Sequence, residues 1–531
     1  MPTLGEILPR LLEAHGFDTI FGIPGVHTVE MYRGLPATRL RHVTPRHEQG
    51  AGFMADGYAR ASGRPAACFI ISGPGMTNIA TAMGQAHADS VPMLVVSSVS
   101  NRRELARGEG RLHEMKDQGA LVSGVAAFSH TVMSPDELPA VLDRAAAVFR
   151  AARPRPVHVE LPLDVITAEA GHVALRAGAV PARPVPDAGA VEAAAAMLRA
   201  ARAPLVVLGG GCVDAGPALG RMVARLGAPV VLTINAKGLL PPDHPALVGS
   251  LLPQGPVLDA LADADVVLAV GTELGETDTL LFGTAPTIAG RLIRVDIDAA
   301  QIGCNATADL GIVSDAGAFC AALAARLEGH APAPAAAARL RARALADIPA
   351  PYRLHGRIMA RIAERWPDVV VAGDSTQPVY GANLTYDAPA PRGWFNSSTG
   401  FGTLGYGLPA AIGAKIACPD RPVIALTGDG GLQFTLPEIA TAVEQRLPLP
   451  IILWNNRGYG EIRTYMRDRA IPEIGVDIHT PDFQMLARGF GAHAVAVDGF
   501  SALIAALERA FAADRPTLIE IDETTAAEWR E

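Results

Sequence analysis

The chain of 531 residues is 49% hydrophobic and 19% charged, which is apolar material for about three domains and too little charge for disorder over most of the length. Its formal net charge is 45 − 54 = −9 and no Lys/Arg run occurs, so neither nucleic acid nor an anionic membrane is an expected partner. The five cysteines are scattered without CxxC or Cys/His metal spacing, which suits reduced thiols in the cytoplasm, and no apolar run reaches the ~18–20 residues of a membrane helix.

The opening MPTLGEILPRLLEAHG reads as an amphipathic helix rather than a basic segment followed by an apolar core, so no secretory leader is expected. The strand CFIISGPG follows, then a helix over 76–88 and the strand MLVVSS. Residues 173–187, with three prolines and little periodicity, read as a linker. Beyond it LVVLGGG, PVVLTI, VVLAVGT and LIRVDID are strands separated by helix-length segments. Residues 329–351, rich in Ala, Pro and Arg, read as a second linker: a loop leading into a surface helix. Then come VVVAGD, VIALTGDGG and PIILWNN. The expected domains are therefore 1–172, 186–328 and 349–531. Strands this apolar, alternating with helices, predict an α/β protein of three doubly wound parallel sheets, whose ligands sit at the carboxyl ends of strands.

The sharpest local signal lies in the third domain. Thr427-Gly428-Asp429-Gly430-Gly431 and Trp454-Asn455-Asn456-Arg457-Gly458 each end a strand, and Asp429 and Asn456 are 456 − 429 = 27 positions apart. That spacing holds one helix, about 436–445, and a return strand, so a carboxylate and an amide oxygen meet at one sheet edge. Mg²⁺ takes one or two protein oxygens together with phosphate oxygens, and glycine backbone N–H groups approach a diphosphate closely. Either turn alone is ordinary; the pair at this spacing points to a metal-bound diphosphate.

These segments resemble the cofactor motif of thiamine-diphosphate enzymes, in the superfamily of acetolactate synthase and benzoylformate decarboxylase. The resemblance runs over essentially the whole chain. It includes Gly22-Ile23-Pro24-Gly25, Arg46-His47-Glu48-Gln49-Gly50-Ala51, Asp56-Gly57-Tyr58-Ala59-Arg60, Gly73-Pro74-Gly75-Met76-Thr77-Asn78 and the stretch from Gly402 to Ala411. It implies thiamine diphosphate and Mg²⁺ as cofactors, with the aminopyrimidine on the first domain, the diphosphate on the third and a structural or regulatory central domain. It further implies active sites formed between subunits of a homodimer or homotetramer. By the same resemblance Gly428, Asp429, Gly430, Gly431, Asn456 and Gly458 surround the diphosphate, and Asp429, Asn456 and Gly458 are the metal ligands. Glu48 matches the acid that exchanges a proton with the pyrimidine, Leu404 the apolar wedge that bends the cofactor, and Gly402 a carbonyl facing its amino group. Gln377 matches a diphosphate contact, and Asn78 lies near the pyrimidine.

Substrate choice rests on departures. Acetolactate synthases carry Phe-Gln-Glu before an Asp-Gln, and a lysine further on; here the first stretch is His113-Glu114-Met115 before Asp117-Gln118, and the later segment, residues 126–130, has no lysine. Leu251-Leu252-Pro253-Gln254-Gly255 replaces their stretch beside FAD, so no flavin is expected, although the Gly209-Gly210-Gly211 turn follows a strand as nucleotide sites do. GEGRLHEMKDQ at 108–118, with Val26-His27, looks like the 5-guanidino-2-oxopentanoate (2-ketoarginine) decarboxylases of arginine catabolism. Val26, His27, Glu114 and Asp117 are then the expected substrate contacts, the acids pairing with a guanidinium. His27 and His113 are expected to carry protons in catalysis. The alternatives are an acetolactate-type carboligase, a benzoylformate decarboxylase-like enzyme for an aromatic keto acid, and a non-catalytic relative; the presence of Glu48 and of all the metal ligands argues against the last.

Overall fold

The computed structural model describes residues 1–328 and 336–529. Three six-stranded sheets form the framework. The first has the order Arg41–Val43, Thr19–Gly22, Ala66–Ile70, Met93–Val99, Pro156–Pro162, Phe128–Thr131, with neighbours parallel. The third, Trp394–Asn396, Val370–Gly373, Val423–Gly428, Pro450–Asn455, Thr517–Asp522, His493–Ala496, repeats that order. The middle sheet runs Leu310–Val313, Arg291–Asp296, Val266–Val270, Pro204–Leu208, Val230–Leu232, Leu247–Gly249, also parallel. The central strands are buried residue after residue, as sheets covered on both faces require. The expected α/β class with three doubly wound sheets is borne out. Among the described residues no helix is long and apolar enough to cross a membrane.

The chain divides into two compact units. One takes Met1–Pro181, Val370–Thr376 and the stretch from Gly400 onward; the other takes Ala182–Val369 and Gln377–Thr399. In the first unit the helix Glu48–Ser62 lies tightly on the helix Gly407–Ala417. Gly57 and Gly413 permit this: a Cβ at either would overlap the backbone of Ala410 or Met54.

In the second unit Leu205, Val207, Val267 and Ala269 turn into a core that the helix Ala336–Ala346 closes with Ala337, Leu340 and Ala344. The helix lies at the surface as expected, with residues 336, 338, 339, 342, 343 and 346 exposed, and the three apolar residues at 337, 340 and 344 form its buried stripe within the Ala/Arg-rich run. The expected loop over 329–335 lies outside the described residues. The triple-glycine turn packs against the Gly271 turn, where Gly211 N donates to Gly271 O at 3.0 Å and a Cβ on Gly211 would stand 2.9 Å from Gly271 Cα. Its glycines therefore have a packing reason of their own.

Candidate active site

In a doubly wound sheet, ligands bind where adjacent strands send their crossovers to opposite sides. In the third sheet that point lies between Val370–Gly373 and Val423–Gly428, and the next residues are Asp374 and Asp429. Asp374 is 1% exposed. Its Oδ1 accepts from Ser375 N (2.8 Å) and Gly405 N (3.0 Å), its Oδ2 from Gly407 N (3.3 Å) and Thr427 Oγ1 (3.4 Å). Burial pushes its carboxyl up to about 6, against the pull of those donors. It thus ties residues 405–407 to the sheet edge.

The register Gly428↔Trp454 puts the Asp429 and Asn456 turns side by side, with the helices Asp429–Thr435 and Glu438–Glu444 between their strands. Asp429 is also 1% exposed and accepts from Gly458 N at 2.9 Å and Asn456 N at 3.4 Å. Burial raises its pKa while those N–H groups oppose the rise. Burial likewise raises Glu523; its hydrogen bond from Trp454 opposes this and the Asp429 charge adds to it. A buried carboxylate beside a second acid is an environment that favours a bound cation.

The turn carrying Gly402 and Leu404 is anchored on its other side. Gln85 Oε1 accepts from Thr403 N (3.2 Å) and Thr403 Oγ1 (2.9 Å), while Gln85 Nε2 donates to Asp89 (2.5 Å). Asp89 and Asp56 pair with Arg60 at 2.6 and 2.7 Å, and Tyr406 donates to Asp56 at 2.5 Å. Removing one partner of such a buried ion pair costs about 3–5 kcal/mol. The motif Asp56-Gly57-Tyr58-Ala59-Arg60 thereby fixes the turn, leaving Leu404 half-buried and Gly402 exposed with φ +73°.

In the first unit Glu48 opens the helix Glu48–Ser62, is half-buried, and accepts from Asn78 Nδ2 at 2.9 Å through Oε2. The two residues are thus brought together. The switch point of the first sheet lies between Thr19–Gly22 and Ala66–Ile70, and there His27 Nδ1 meets Ser72 Oγ at 3.0 Å. His27 and His113 stand edge to face with ring centroids 5.0 Å apart. Burial lowers the His27 pKa, and the His113 charge lowers it further. His113 holds the left-handed φ of +59°, and its Nδ1 is buried with no hydrogen-bond partner among the described residues.

The expected substrate acids are already engaged. Glu114 Oε1 accepts from Gly108 N (2.8 Å) and Glu109 N (3.2 Å), and Oε2 from Arg111 N (2.9 Å). The Arg111 N–H first, and the N–H groups of residues 108–110 after it, hold this carboxyl below its ordinary range. Asp117 is exposed and caps the helix Gln118–Val122 through Oδ1, 2.8 Å from Ala120 N. Val26 is 65% exposed. Gln377 begins the helix Gln377–Thr385 of the second unit.

Three segments match the thiamine pyrophosphate enzyme family: its N-terminal TPP binding domain over residues 2–121, its central domain over 191–323 and its C-terminal TPP binding domain over 374–521. The chain belongs to the thiamine pyrophosphate enzymes. It is 47% identical to the probable 2-ketoarginine decarboxylase AruI of Pseudomonas aeruginosa, over 99% of this chain and 94% of that protein. It is 32% identical to the acetolactate synthase isozyme 1 large subunit of Escherichia coli, over 98% and 93% of the two chains. The acetolactate synthase of Mycobacterium bovis is 33% identical, over 92% of this chain and 82% of its own.

As a thiamine pyrophosphate (thiamine diphosphate) enzyme the chain must seat a diphosphate; Gly430 and Gly431 follow the buried Asp429 in the first turn of the helix Asp429–Thr435, where they are packed against the protein itself. A Cβ on Gly430 would stand 2.8 Å from the Tyr459 ring, and one on Gly431 would stand 3.1 Å from Asp374. Among the described residues no group of three or more His, Cys, Asp or Glu could hold a metal alone, so any ion here must draw on amide, backbone or phosphate oxygens. Sequence reasoning passed over Asp374 and Gln85 as anchors. The first had one visible signal, an acid directly after the buried strand VVVAG.

Proposed function

We propose that this enzyme uses thiamine diphosphate and Mg²⁺ to decarboxylate a 2-keto acid, 5-guanidino-2-oxopentanoate, to 4-guanidinobutanal and CO₂. The observation that carries the reading is the 47% identity over 99% of the chain to a protein named as a 2-ketoarginine decarboxylase, against 32–33% for acetolactate synthases. The paired histidines at the first sheet's switch point support it. When bound, the cofactor supplies the carbon nucleophile and the electron sink.

The chain's residues do the rest. Asp429, Asn456 and Gly458 hold Mg²⁺, and Gly428, Gly430 and Gly431 receive the diphosphate. Leu404 and the Gly402 carbonyl orient the cofactor. Glu48, with Oε2 fixed by Asn78, exchanges a proton through Oε1. His27, with Nδ1 engaged by Ser72, and His113 deliver a proton to the carbon from which CO₂ has left. Of the two acids Glu114 already serves its own loop with both oxygens, so we assign the substrate's cationic tail to Asp117, which uses Oδ1 alone in its cap; Val26 borders the same mouth. We further propose a cytoplasmic homodimer or homotetramer with sites closed between subunits.

CO₂ release and product identification over a panel of 2-keto acids test this, on enzyme stripped by chelation and dialysis and then reloaded. The guanidino acid is expected to give the highest kcat/KM, only after reloading. A higher kcat/KM for pyruvate or benzoylformate would overturn the substrate. Acetolactate as the product from pyruvate would overturn the decarboxylase reading, and full activity of the stripped enzyme would overturn both cofactors.

A further inference from the structure

Glu438 is a buried acid to which the scheme above gives no task. It opens the helix Glu438–Glu444, is 1% exposed, and points at the chain just before Glu48. Its Oε1 accepts from Arg46 N at 3.0 Å and His47 N at 3.2 Å. Its Oε2 accepts from Thr441 Oγ1 at 2.7 Å. The same stretch reinforces the grip: Arg46 pairs with Glu444 at 2.5 Å, and Arg41 donates to Gln445 at 2.8 Å. Gly50, one turn into the helix, leaves room for the carboxylate; a methyl there would overlap Glu438 Oε1. The first N–H groups of a helix have no partner within it, and the direction of its first residue depends on how the entering chain is held. Here a single carboxylate oxygen holds the two peptides that lead into Glu48.

We infer that Glu438 is a positioning residue for Glu48: by clamping the Arg46 and His47 N–H groups it sets where the Glu48 carboxylate stands, and Asn78 fixes that carboxylate from the other side. The inference rests on Glu48 being the proton-exchanging acid. Two readouts keep its failure distinct from failure of that reading: amide hydrogen exchange over residues 44–50 in the cofactor-free full chain, and exchange of the C2 hydrogen of bound thiamine diphosphate in D₂O.

In Glu438→Ala the Arg46 and His47 amides should lose about tenfold or more of their protection, and C2 exchange should slow by about tenfold. Glu438→Gln keeps the accepting oxygen and should retain most of both. Gly50→Ala would ordinarily favour a helix, yet here it should reproduce the Glu438→Ala defects. Added to Glu438→Ala it should cost nothing more, because the oxygen it collides with is gone. If Glu438→Ala does not fold, Gly50→Ala and Glu438→Gln decide the matter. Unchanged amide protection and C2 exchange in Gly50→Ala would overturn the inference, as would slowed C2 exchange with unchanged protection of residues 46–47. Unchanged C2 exchange in Glu48→Gln would overturn the assignment of Glu48 instead, leaving the amide result to stand for the clamp.

Discussion

The first and third sheets share one strand order, yet the carboxyl edges they present are built differently. At the third sheet the turns are held from beneath by buried groups: Asp374 grips residues 405 and 407, Gln85 grips Thr403, and Asp429 grips residues 456 and 458. At the first sheet the buried Gln118 grips Gly73 N at 3.1 Å in the same manner, but residues 102–117 ahead of it are exposed or half-buried throughout, and Glu114 organises this loop from within. A buried polar anchor is lost only at a high cost, so such an edge keeps one geometry and suits a cofactor that never changes. A loop that satisfies its own N–H groups can change its outer side chains cheaply, which suits selection among substrates.

Substitutions on the two edges sharpen that contrast. Of the binding effects the largest is expected for Asp429→Ala: it removes the one charged ligand assigned to Mg²⁺ and should weaken cofactor binding by about a hundredfold or more, read by titrating stripped enzyme. On the loop, Asp117→Asn should raise KM for the guanidino acid by about tenfold to a hundredfold, the worth of a charged hydrogen bond of ~1.5–3 kcal/mol, and leave 2-oxohexanoate almost unchanged. Glu114→Gln should instead impair both substrates alike, because it loosens the loop rather than a substrate contact. A selective effect at Glu114 and none at Asp117 would reverse that assignment.

The smallest effect is one of pH. Burial, opposed by Thr441, by the Arg46 and His47 N–H groups and by the Arg46 charge, pushes Glu438 up to about 7 from 4.5. A raised carboxyl contributes stability that is present below about 4.5 and lost as pH rises through about 7. Glu438→Gln has no such proton to lose. Its melting temperature relative to wild type should therefore improve by about a few degrees between pH 5 and pH 8. A gap that does not change with pH would contradict this.

Much of the framework was legible because it is written in local pattern. Apolar strands followed by glycine-rich turns marked the sheets, and the spacing of Asp429 and Asn456 put both on adjacent strands, as the register Gly428↔Trp454 bears out. The anchors were not legible, since each reaches a partner remote in sequence: Asp374 holds Gly405 across 31 positions, Gln85 holds Thr403 across 318, and Glu438 holds Arg46 across 392. They accept from backbone N–H groups, which any residue type supplies, so no motif records the partner. The bonds of Glu114 were not legible for the same reason: an acid in a glycine-rich loop leaves no mark in the motif that its oxygens accept from residues 108, 109 and 111.

The measurement that bears most directly on the proposed chemistry is the exchange of the C2 hydrogen of bound thiamine diphosphate in D₂O, followed by NMR, in wild type and Glu48→Gln. The two proteins should bind the cofactor with similar affinity, and exchange in the mutant should be slower by about 10²–10⁴-fold, the usual worth of a positioned proton-transfer group. Equal exchange rates in the two would contradict the role given to Glu48 and, with it, the account of how the chain activates its cofactor.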